Sequence, residues 1–177
     1  MTTNHNYYID LAFQIAEKNL GRTRLNPSVG TVVVKNNTVI SSAVTSFNGR
    51  PHSEFNALNN LKNCAGASLY TTLEPCTHYG QTPPCVNIII KKKIKNVFYG
   101  LEDPDLRTFK KAKKILNLKG IKTKLIKTKK FESFYRSYII NKKFGIPFIT
   151  AKISITCYHV KLSNNYWNAE RGNKASN

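Results

Sequence analysis

Apolar positions near the start of the chain recur at helical spacing and then give way to β-branched runs. The helical set is Tyr8, Leu11, Ala12, Ile15 and Ala16, and Gly21 follows it as a C-cap. Val29–Val34 and Thr38–Ala43 are typical of strands, and Asn36-Asn37 between them is typical of a turn. The pattern therefore predicts a helix followed by a β-hairpin.

Helical and strand patterns alternate along the rest of the chain. Further helices are predicted over Ser53–Leu61, Val86–Ile90, Phe109–Leu118 and Phe131–Phe144. The first of these places Phe55, Leu58 and Leu61 on one face. Further strands are predicted over Ala67–Thr72, Asn96–Gly100, Ile121–Ile126 and Phe148–Ile155. This alternation predicts α/β layering around one sheet, with a frayed or disordered tail over Ser163–Asn177.

Composition is that of a globular protein. The chain has 177 residues, of which 41% are hydrophobic and 21% charged, which suits one domain with a substantial core. No apolar run approaches the roughly 18–20 residues that span a bilayer, and residues 1–8 lack the apolar segment of a signal peptide. We therefore expect a cytosolic protein without a membrane partner, whose four cysteines are ligands or buried rather than disulfide-bonded.

The formal charge of +19 is concentrated in the second half of the chain. Residues 91–177 carry 22 Lys and Arg against five Asp and Glu, whereas residues 1–90 carry six against four. A basic half of this kind is one signal of a nucleic-acid surface. Lys91–Lys95 and Lys110–Lys114 fall on predicted helix faces with few interleaved aromatics, however, so solvated faces are favoured over nucleic-acid binding.

One His, one Glu and two Cys stand at a spacing typical of a catalytic zinc site. His52-Ser53-Glu54 is followed 21 residues later by Pro75-Cys76, and eight residues separate Cys76 from Cys85. His52, Cys76 and Cys85 are three ligands for Zn²⁺, which leaves the fourth tetrahedral position for a water acidic enough to act as hydroxide. Glu54 is then the proton shuttle rather than a ligand. Both cysteines follow a proline, and we expect each at a helix start.

Two structural interpretations stay open beside this one. A zinc site that only holds loops together has four protein ligands, and His78 or Cys64 could supply the fourth. Alternatively, His52 and both cysteines are simply buried. A structural role gives no reason for Glu54 to stand beside the ligands, so the catalytic interpretation is preferred.

Residues 72–85, TLEPCTHYGQTPPC, resemble the zinc loop of the riboflavin-biosynthesis pyrimidine deaminases. Nucleic-acid and nucleoside deaminases usually have two residues between the cysteines, so the long interval is specific to the riboflavin branch. NPSVG at residues 26–30, PHSE at 51–54 and GLEDPD at 100–105 match further family blocks in order. The resemblance covers roughly residues 7–130.

The resemblance implies a cytidine-deaminase-like three-layer α/β/α sandwich with a single mixed sheet, formed by residues 1–145. It implies hydrolysis of 2,5-diamino-6-(phosphoribosylamino)pyrimidin-4-one, a phosphoribosylated pyrimidine, to the corresponding uracil. By position, Asn26 would contact the pyrimidine or ribose and Asp103 the ribose phosphate arm. Gln81 and Asp105 fall at further substrate-binding positions of the family.

The chain departs from the family on the phosphate side of the site. The family usually has His at Thr45, Lys or Arg at Gln81 and Asn at Asp105. A missing cation at Gln81 removes a charge-assisted phosphate contact, and Asp105 is expected to add repulsion, for which Lys110 or Lys111 could compensate. A catalytically decayed zinc domain is therefore kept as an alternative, together with a deaminase that acts on RNA or a nucleoside.

The last part of the chain resembles the start of another domain. In bifunctional family members a reductase follows the deaminase, and residues 145–154, GIPFITAKIS, look like its first strand. We expect residues 146–177 to be a truncated start of that domain, without reductase activity. The apolar strand would then need cover from a homo-oligomer or from a separate reductase protein.

Overall fold

The computed structural model describes residues 4–153, which form six α-helices and five strands. The helices are α1 His5–Glu17, α2 Ser53–Leu58, α3 Cys85–Lys91, α4 Lys111–Leu118, α5 Lys129–Phe134 and α6 Arg136–Phe144. The strands are β1 Gly30–Lys35, β2 Thr38–Val44, β3 Ser68–Thr71, β4 Asn96–Tyr99 and β5 Lys122–Leu125. A single 3₁₀ turn, Phe47–Gly49, precedes α2.

The five strands form one mixed sheet in the order β2-β1-β3-β4-β5. The predicted hairpin is confirmed, since β1 pairs antiparallel with β2 and Asn36 and Asn37 take the positive φ angles of 51° and 58° that a tight turn needs. Strands β3, β4 and β5 run parallel. Their carboxyl ends therefore meet at one edge of the sheet, where ligands bind in open α/β folds.

Alternation along the strands separates two cores. The register aligns Val33, Leu69 and Val97 on one face of the sheet, which packs against α2, α3 and α4. The neighbouring positions Tyr70 and Phe98 point to the opposite face, which packs against α1, α5 and α6. The expected three-layer α/β/α sandwich around a single mixed sheet is confirmed.

Two glycines allow helices to approach the sheet closely. A Cβ on Gly30 would stand 1.9 Å from the carbonyl oxygen of Ala12 in α1. A Cβ on Gly100 would stand 2.6 Å from the ring of Phe131 in α5. Any larger residue would push these helices away from the sheet.

Two helix predictions are wrong in detail. Helix α2 ends at Leu58 instead of Leu61, and Phe55 is 40% exposed, so it does not share the buried face of Leu58. The single helix predicted over residues 131–144 is two helices that meet at Tyr135. The buried Tyr135 hydroxyl donates to the Ser28 carbonyl, at 2.8 Å, and is hydrogen-bonded to the Thr72 hydroxyl at 2.6 Å. These contacts fix the junction of α5 and α6 against the sheet.

The described chain divides after Pro147. The strand predicted over Phe148–Ile155 is not formed at residues 148–153, which are exposed and have no regular structure. The remainder of that strand and the predicted disordered tail lie outside the described residues. Within residues 4–153, no helix combines the length and the apolar character that a membrane span requires.

Candidate metal centre and substrate cleft

Three separate segments carry the predicted zinc ligands. His52 is the N-cap residue of α2, and Cys85 is the first residue of α3. Cys76 lies in an irregular loop after β3, so the expectation that it begins a helix is wrong. Its place is fixed instead by the backbone N–H of Cys85, which donates to Cys76 Sγ at 3.2 Å.

The three ligand atoms are close enough to share one metal ion. His52 Nδ1 lies 3.6 Å from Cys76 Sγ and 3.4 Å from Cys85 Sγ, and all three ligand atoms lie within 4.8 Å of one another. Zn–N and Zn–S bonds of ordinary length in a tetrahedron place such atoms about 3.6 Å apart. The trio therefore fits Zn²⁺, through Nδ1 of the histidine and both sulfurs.

A hydrogen bond couples the two cysteine side chains and shifts their pKa values in opposite directions. Hydrogen bonding with Cys85 lowers the pKa of Cys76 to about 4. The same hydrogen bond and burial raise the pKa of Cys85 well above its usual value. A divalent cation between the sulfurs would favour the thiolate form of both.

Glu54 is a buried carboxyl group beside this trio. It is 4% exposed, and burial raises its pKa above the ordinary value of a glutamate. Ser53 Oγ donates to Glu54 Oε2 at 3.2 Å, and Thr31 Oγ1 lies 2.8 Å from Ser53 Oγ. The Ser53 hydroxyl thus holds the Glu54 carboxylate in place.

A fourth protein ligand is not found among residues 4–153. Cys64 is buried in the core with α2 and α3, where its sulfur contacts the Lys92 carbonyl. His78 Nδ1 is hydrogen-bonded to Thr108 Oγ1 at 3.2 Å. Neither joins the trio, so the described residues favour the open coordination of a catalytic site over a closed structural one.

A cleft opens onto His52, Glu54 and Cys76, and it contains part of the predicted substrate site. Asn26, Asp103 and Asp105 line this cleft, and Asn26 Nδ2 donates to the Gly49 carbonyl at 3.0 Å. Gln81 is exposed and does not line the cleft. Thr45 is buried outside the lining, where its hydroxyl accepts the backbone N–H of Val29 at 3.0 Å.

Asp103 is buried at the cleft wall. Its Oδ1 accepts hydrogen bonds from the Tyr138 hydroxyl, at 3.0 Å, and from the Asp105 backbone N–H, at 2.9 Å. Burial raises its pKa to about 6 in spite of these two donors.

Asp105 is neutralised by two cations, contrary to the repulsion expected from the sequence. Its carboxylate pairs with Arg107 at 2.6 Å and with Lys142 at 3.1 Å, and the hydrogen bonds from Arg107 hold its pKa well below the usual range. Neither Lys110 nor Lys111 lines the cleft. Lys110 Nζ lies 3.9 Å from Glu102, so the compensation comes from other residues than those expected.

Sequence reasoning missed the role of Glu74. Its buried carboxylate accepts the backbone N–H groups of Asp103, Lys110 and Ala112 at 3.0–3.2 Å. It therefore fixes the segment that carries Asp103 and Asp105. Its position two residues before Cys76 places it near the metal ligands in the sequence. That position does not indicate its hydrogen bonds to backbone groups 29 to 38 residues further along the chain.

The cations of the cleft were missed as well. Arg50, Arg107 and Lys142 line it, and they come from the loop before α2, the loop after β4 and α6. Arg50 stands two residues before His52, which could have drawn attention to it. Nothing in the local pattern around Lys142 distinguishes it from the neighbouring lysine.

Comparison with known proteins identifies a matching family model, related proteins and solved structures with a similar fold. The family model of the cytidine and deoxycytidylate deaminase zinc-binding region matches residues 2–101. The chain is 37% identical over 148 residues to the riboflavin biosynthesis protein RibD of Bacillus amyloliquefaciens. The aligned region covers 82% of this chain and 40% of that protein. It thus spans about 40% of the length of such relatives.

A second relative matches along nearly its whole length. The diaminohydroxyphosphoribosylamino-pyrimidine deaminase of Buchnera aphidicola subsp. Schizaphis graminum is 33% identical over 143 residues, covering 80% of this chain and 97% of that protein. Among solved structures, Acinetobacter baumannii RibD superposes with a TM-score of 0.76 at 32% identity, covering 81% of this chain and 41% of that one.

Proposed function

Because the chain belongs to the cytidine and deoxycytidylate deaminase family, and within it to the riboflavin-pathway pyrimidine deaminases, we propose that it deaminates a phosphoribosylated diaminopyrimidinone. The substrate is 2,5-diamino-6-(phosphoribosylamino)pyrimidin-4-one. Water adds to ring carbon C2, which carries one of the amines, and the bond between C2 and that amine breaks. Ammonia is released, and the product is 5-amino-6-(phosphoribosylamino)uracil.

One observation carries the proposal. A buried carboxyl group, Glu54, lines the cleft that opens onto His52 and Cys76, and these two form with Cys85 a trio whose donor atoms fit one Zn²⁺ with a coordination position left open. A structural zinc site needs no such carboxyl group. A decayed zinc domain is therefore the weaker interpretation.

The proton transfers are assigned to Glu54. When bound at His52, Cys76 and Cys85, zinc supplies a Lewis acid that makes a water acidic enough to react near neutral pH. Glu54 takes a proton from the attacking water and gives it to a ring nitrogen. It then takes the second proton, from the hydroxyl added to the ring carbon, and gives it to the departing amine. A carboxyl group whose pKa is raised by burial suits this alternation, because it can both accept and release a proton.

Substrate contacts are assigned by position in the cleft. Asn26 and Asp103 both line the cleft. Asn26 is proposed to contact the pyrimidine or the ribose, and Asp103 the ribose phosphate arm. Asp105 is proposed to act through its ion pairs with Arg107 and Lys142. Gln81 is exposed outside the cleft lining, which gives no support to a direct contact.

The printed names of the relatives support the substrate class. The Buchnera protein, named as a diaminohydroxyphosphoribosylamino-pyrimidine deaminase, is covered for 97% of its length. The alternative of RNA or a nucleoside as substrate gains no comparable support. We also propose a cytosolic location and, as a partner, either a second copy of the chain or a reductase protein.

The test is ammonia release from the diaminopyrimidinone ribosyl phosphate by zinc-loaded protein. Cytidine, deoxycytidylate and a short RNA are tested separately as alternative substrates. We expect turnover of the phosphoribosylated pyrimidine alone. Zinc-loaded protein that releases ammonia from cytidine or RNA, and not from this compound, would refute the proposal.

A further inference from the structure

Three cations line the cleft, and two of them are already paired. Arg107 donates from both Nε and Nη2 to the carboxylate of Asp105, at 2.9 and 2.6 Å. Lys142 Nζ lies 3.1 Å from the same carboxylate. An anion that used these two cations would have to compete with Asp105.

Arg50 stands in a different environment. Its Nη1 donates to the Thr82 hydroxyl at 2.9 Å and lies 3.5 Å from His52 Nε2. No ion pair within residues 4–153 joins it to a carboxylate. A guanidinium has five N–H donors, and the contact with Thr82 uses one of them while orienting the group.

The carboxylates of the cleft are each committed elsewhere. Glu74 accepts three backbone N–H groups, Asp103 accepts Tyr138, and Asp105 holds Arg107 and Lys142. Glu54 accepts Ser53 at the metal trio. Arg50 is therefore the cleft cation whose charge no described carboxylate offsets by direct pairing.

Arg50 also brings a cation to the loop between the two cysteines. Its Nη2 would lie 3.5 Å from a Cβ on Gly80, and its Nη1 bonds Thr82, so it reaches both neighbours of Gln81. Gln81 itself is neutral and exposed. The segment before α2 thus supplies the positive charge that this loop lacks.

We propose that Arg50 is the phosphate-binding residue of the substrate site, with Thr82 holding its guanidinium in place. The identity of the ligand as a ribosyl phosphate rests on the proposed function. Arginine suits this role because its planar fork can donate two parallel hydrogen bonds to phosphate oxygens. Partial burial in the cleft strengthens that contact relative to one on an open surface.

The first test separates binding of the phosphate from chemistry. Steady-state kinetics are measured with the phosphorylated substrate and with its dephosphorylated riboside, for the variants Arg50→Gln, Arg50→Lys and Arg24→Gln. The zinc content of each protein is determined as well. Arg24 is a matched control because it is exposed, bonds Asn48 in the neighbouring 3₁₀ turn and does not line the cleft. We expect Arg50→Gln to raise KM for the phosphorylated substrate about 10- to 100-fold, with little change in kcat or in KM for the riboside.

Arg50→Lys should recover part of the loss because it restores the charge without the fork. The proposal would be overturned if Arg50→Gln raised KM equally for the phosphorylated substrate and for the riboside. It would also be overturned if Arg107→Gln lost the preference for the phosphorylated substrate while Arg50→Gln kept it. The second result would place the phosphate at the Asp105 ion pairs.

The second test does not depend on turnover. Ribose 5-phosphate binding is measured by titration calorimetry on wild type, Arg50→Gln and Arg24→Gln. Binding to wild type and Arg24→Gln that is lost in Arg50→Gln supports the anion site even when no ammonia is released, in which case only the proposed function fails. Equal binding by all three proteins contradicts the role of Arg50.

Discussion

The hydroxyl of Tyr138 donates a hydrogen bond to Asp103 Oδ1, at 3.0 Å, and joins α6 to the loop after β4. Helix α6 lies beyond residues 2–101, the part matched by the deaminase family model. It nevertheless contributes Tyr138 and Lys142 to the wall of the cleft. The cleft is therefore completed by a segment outside the matched zinc-binding region.

Tyr138→Phe removes this hydrogen bond and keeps the ring. Because the tyrosine hydroxyl lowers the pKa of the buried Asp103, its loss should raise that pKa above about 6. We expect a destabilisation of about 1–3 kcal/mol and a higher KM at unchanged zinc content. Urea unfolding and steady-state kinetics measure the two effects. Tyr7→Phe, at an exposed tyrosine of α1, is the control and should change neither.

Asp103→Asn should change how stability depends on pH. The pKa of Asp103 is raised from 3.8 to about 6 in the folded chain, so between these values the folded state holds a proton that the unfolded state has released. The aspartate therefore costs stability as pH rises through this window, by up to about 3 kcal/mol. Asparagine can still accept both hydrogen bonds.

Urea unfolding at pH 4 and pH 7 measures this effect. The variant should gain stability relative to wild type between the two values. Asp105→Asn is the contrasting control, since ion pairing lowers the pKa of Asp105 and its contribution is lost only as pH falls below about 4. If the difference in unfolding free energy between Asp103→Asn and wild type is the same at both pH values, the raised pKa of Asp103 is refuted.

Glu54→Gln should abolish turnover while zinc stays bound. The amide keeps the size of the side chain and an acceptor for Ser53, but it cannot shuttle a proton. We expect kcat to fall by at least about 10²- to 10⁴-fold, as measured by ammonia release beside zinc determination. Glu102→Gln, at an acid outside the metal cleft, should keep full activity. Retention of substantial activity by Glu54→Gln would remove Glu54 from the proton transfers.

Cys85→Ser should release the metal, because a hydroxyl is a far poorer zinc ligand than a thiolate. Zinc stoichiometry after dialysis should fall from about one to near zero. Cys64→Ala is the control: that cysteine is buried in the core away from the trio, so the variant should keep its zinc although it loses some stability. Zinc loss from Cys64→Ala and not from Cys85→Ser would contradict the assigned ligands.

Local pattern predicted the layered fold and the ligand trio, but it misplaced side chains whose surroundings come from elsewhere in the chain. Phe55 is apolar and at helical spacing, yet it is 40% exposed while Leu58 of the same helix is buried. Cys76 follows a proline, yet its position depends on the backbone of Cys85 rather than on a helix of its own. Gln81 falls within a family motif, yet the loop turns it outward.

The sequence by itself determined the residues of the candidate site and the layering of the fold: the spacing of His52, Glu54, Cys76 and Cys85, and the alternation of strands and helices that brings them to one edge of a sheet. Both are local patterns, set by a few residues at fixed intervals. Only the tertiary structure decided the electrostatics of the cleft. The pairing of Asp105 with Lys142 and the contact of Arg50 with Thr82 join segments more than 30 residues apart. Such contacts depend on how loops and α6 pack against the sheet, which no short pattern encodes.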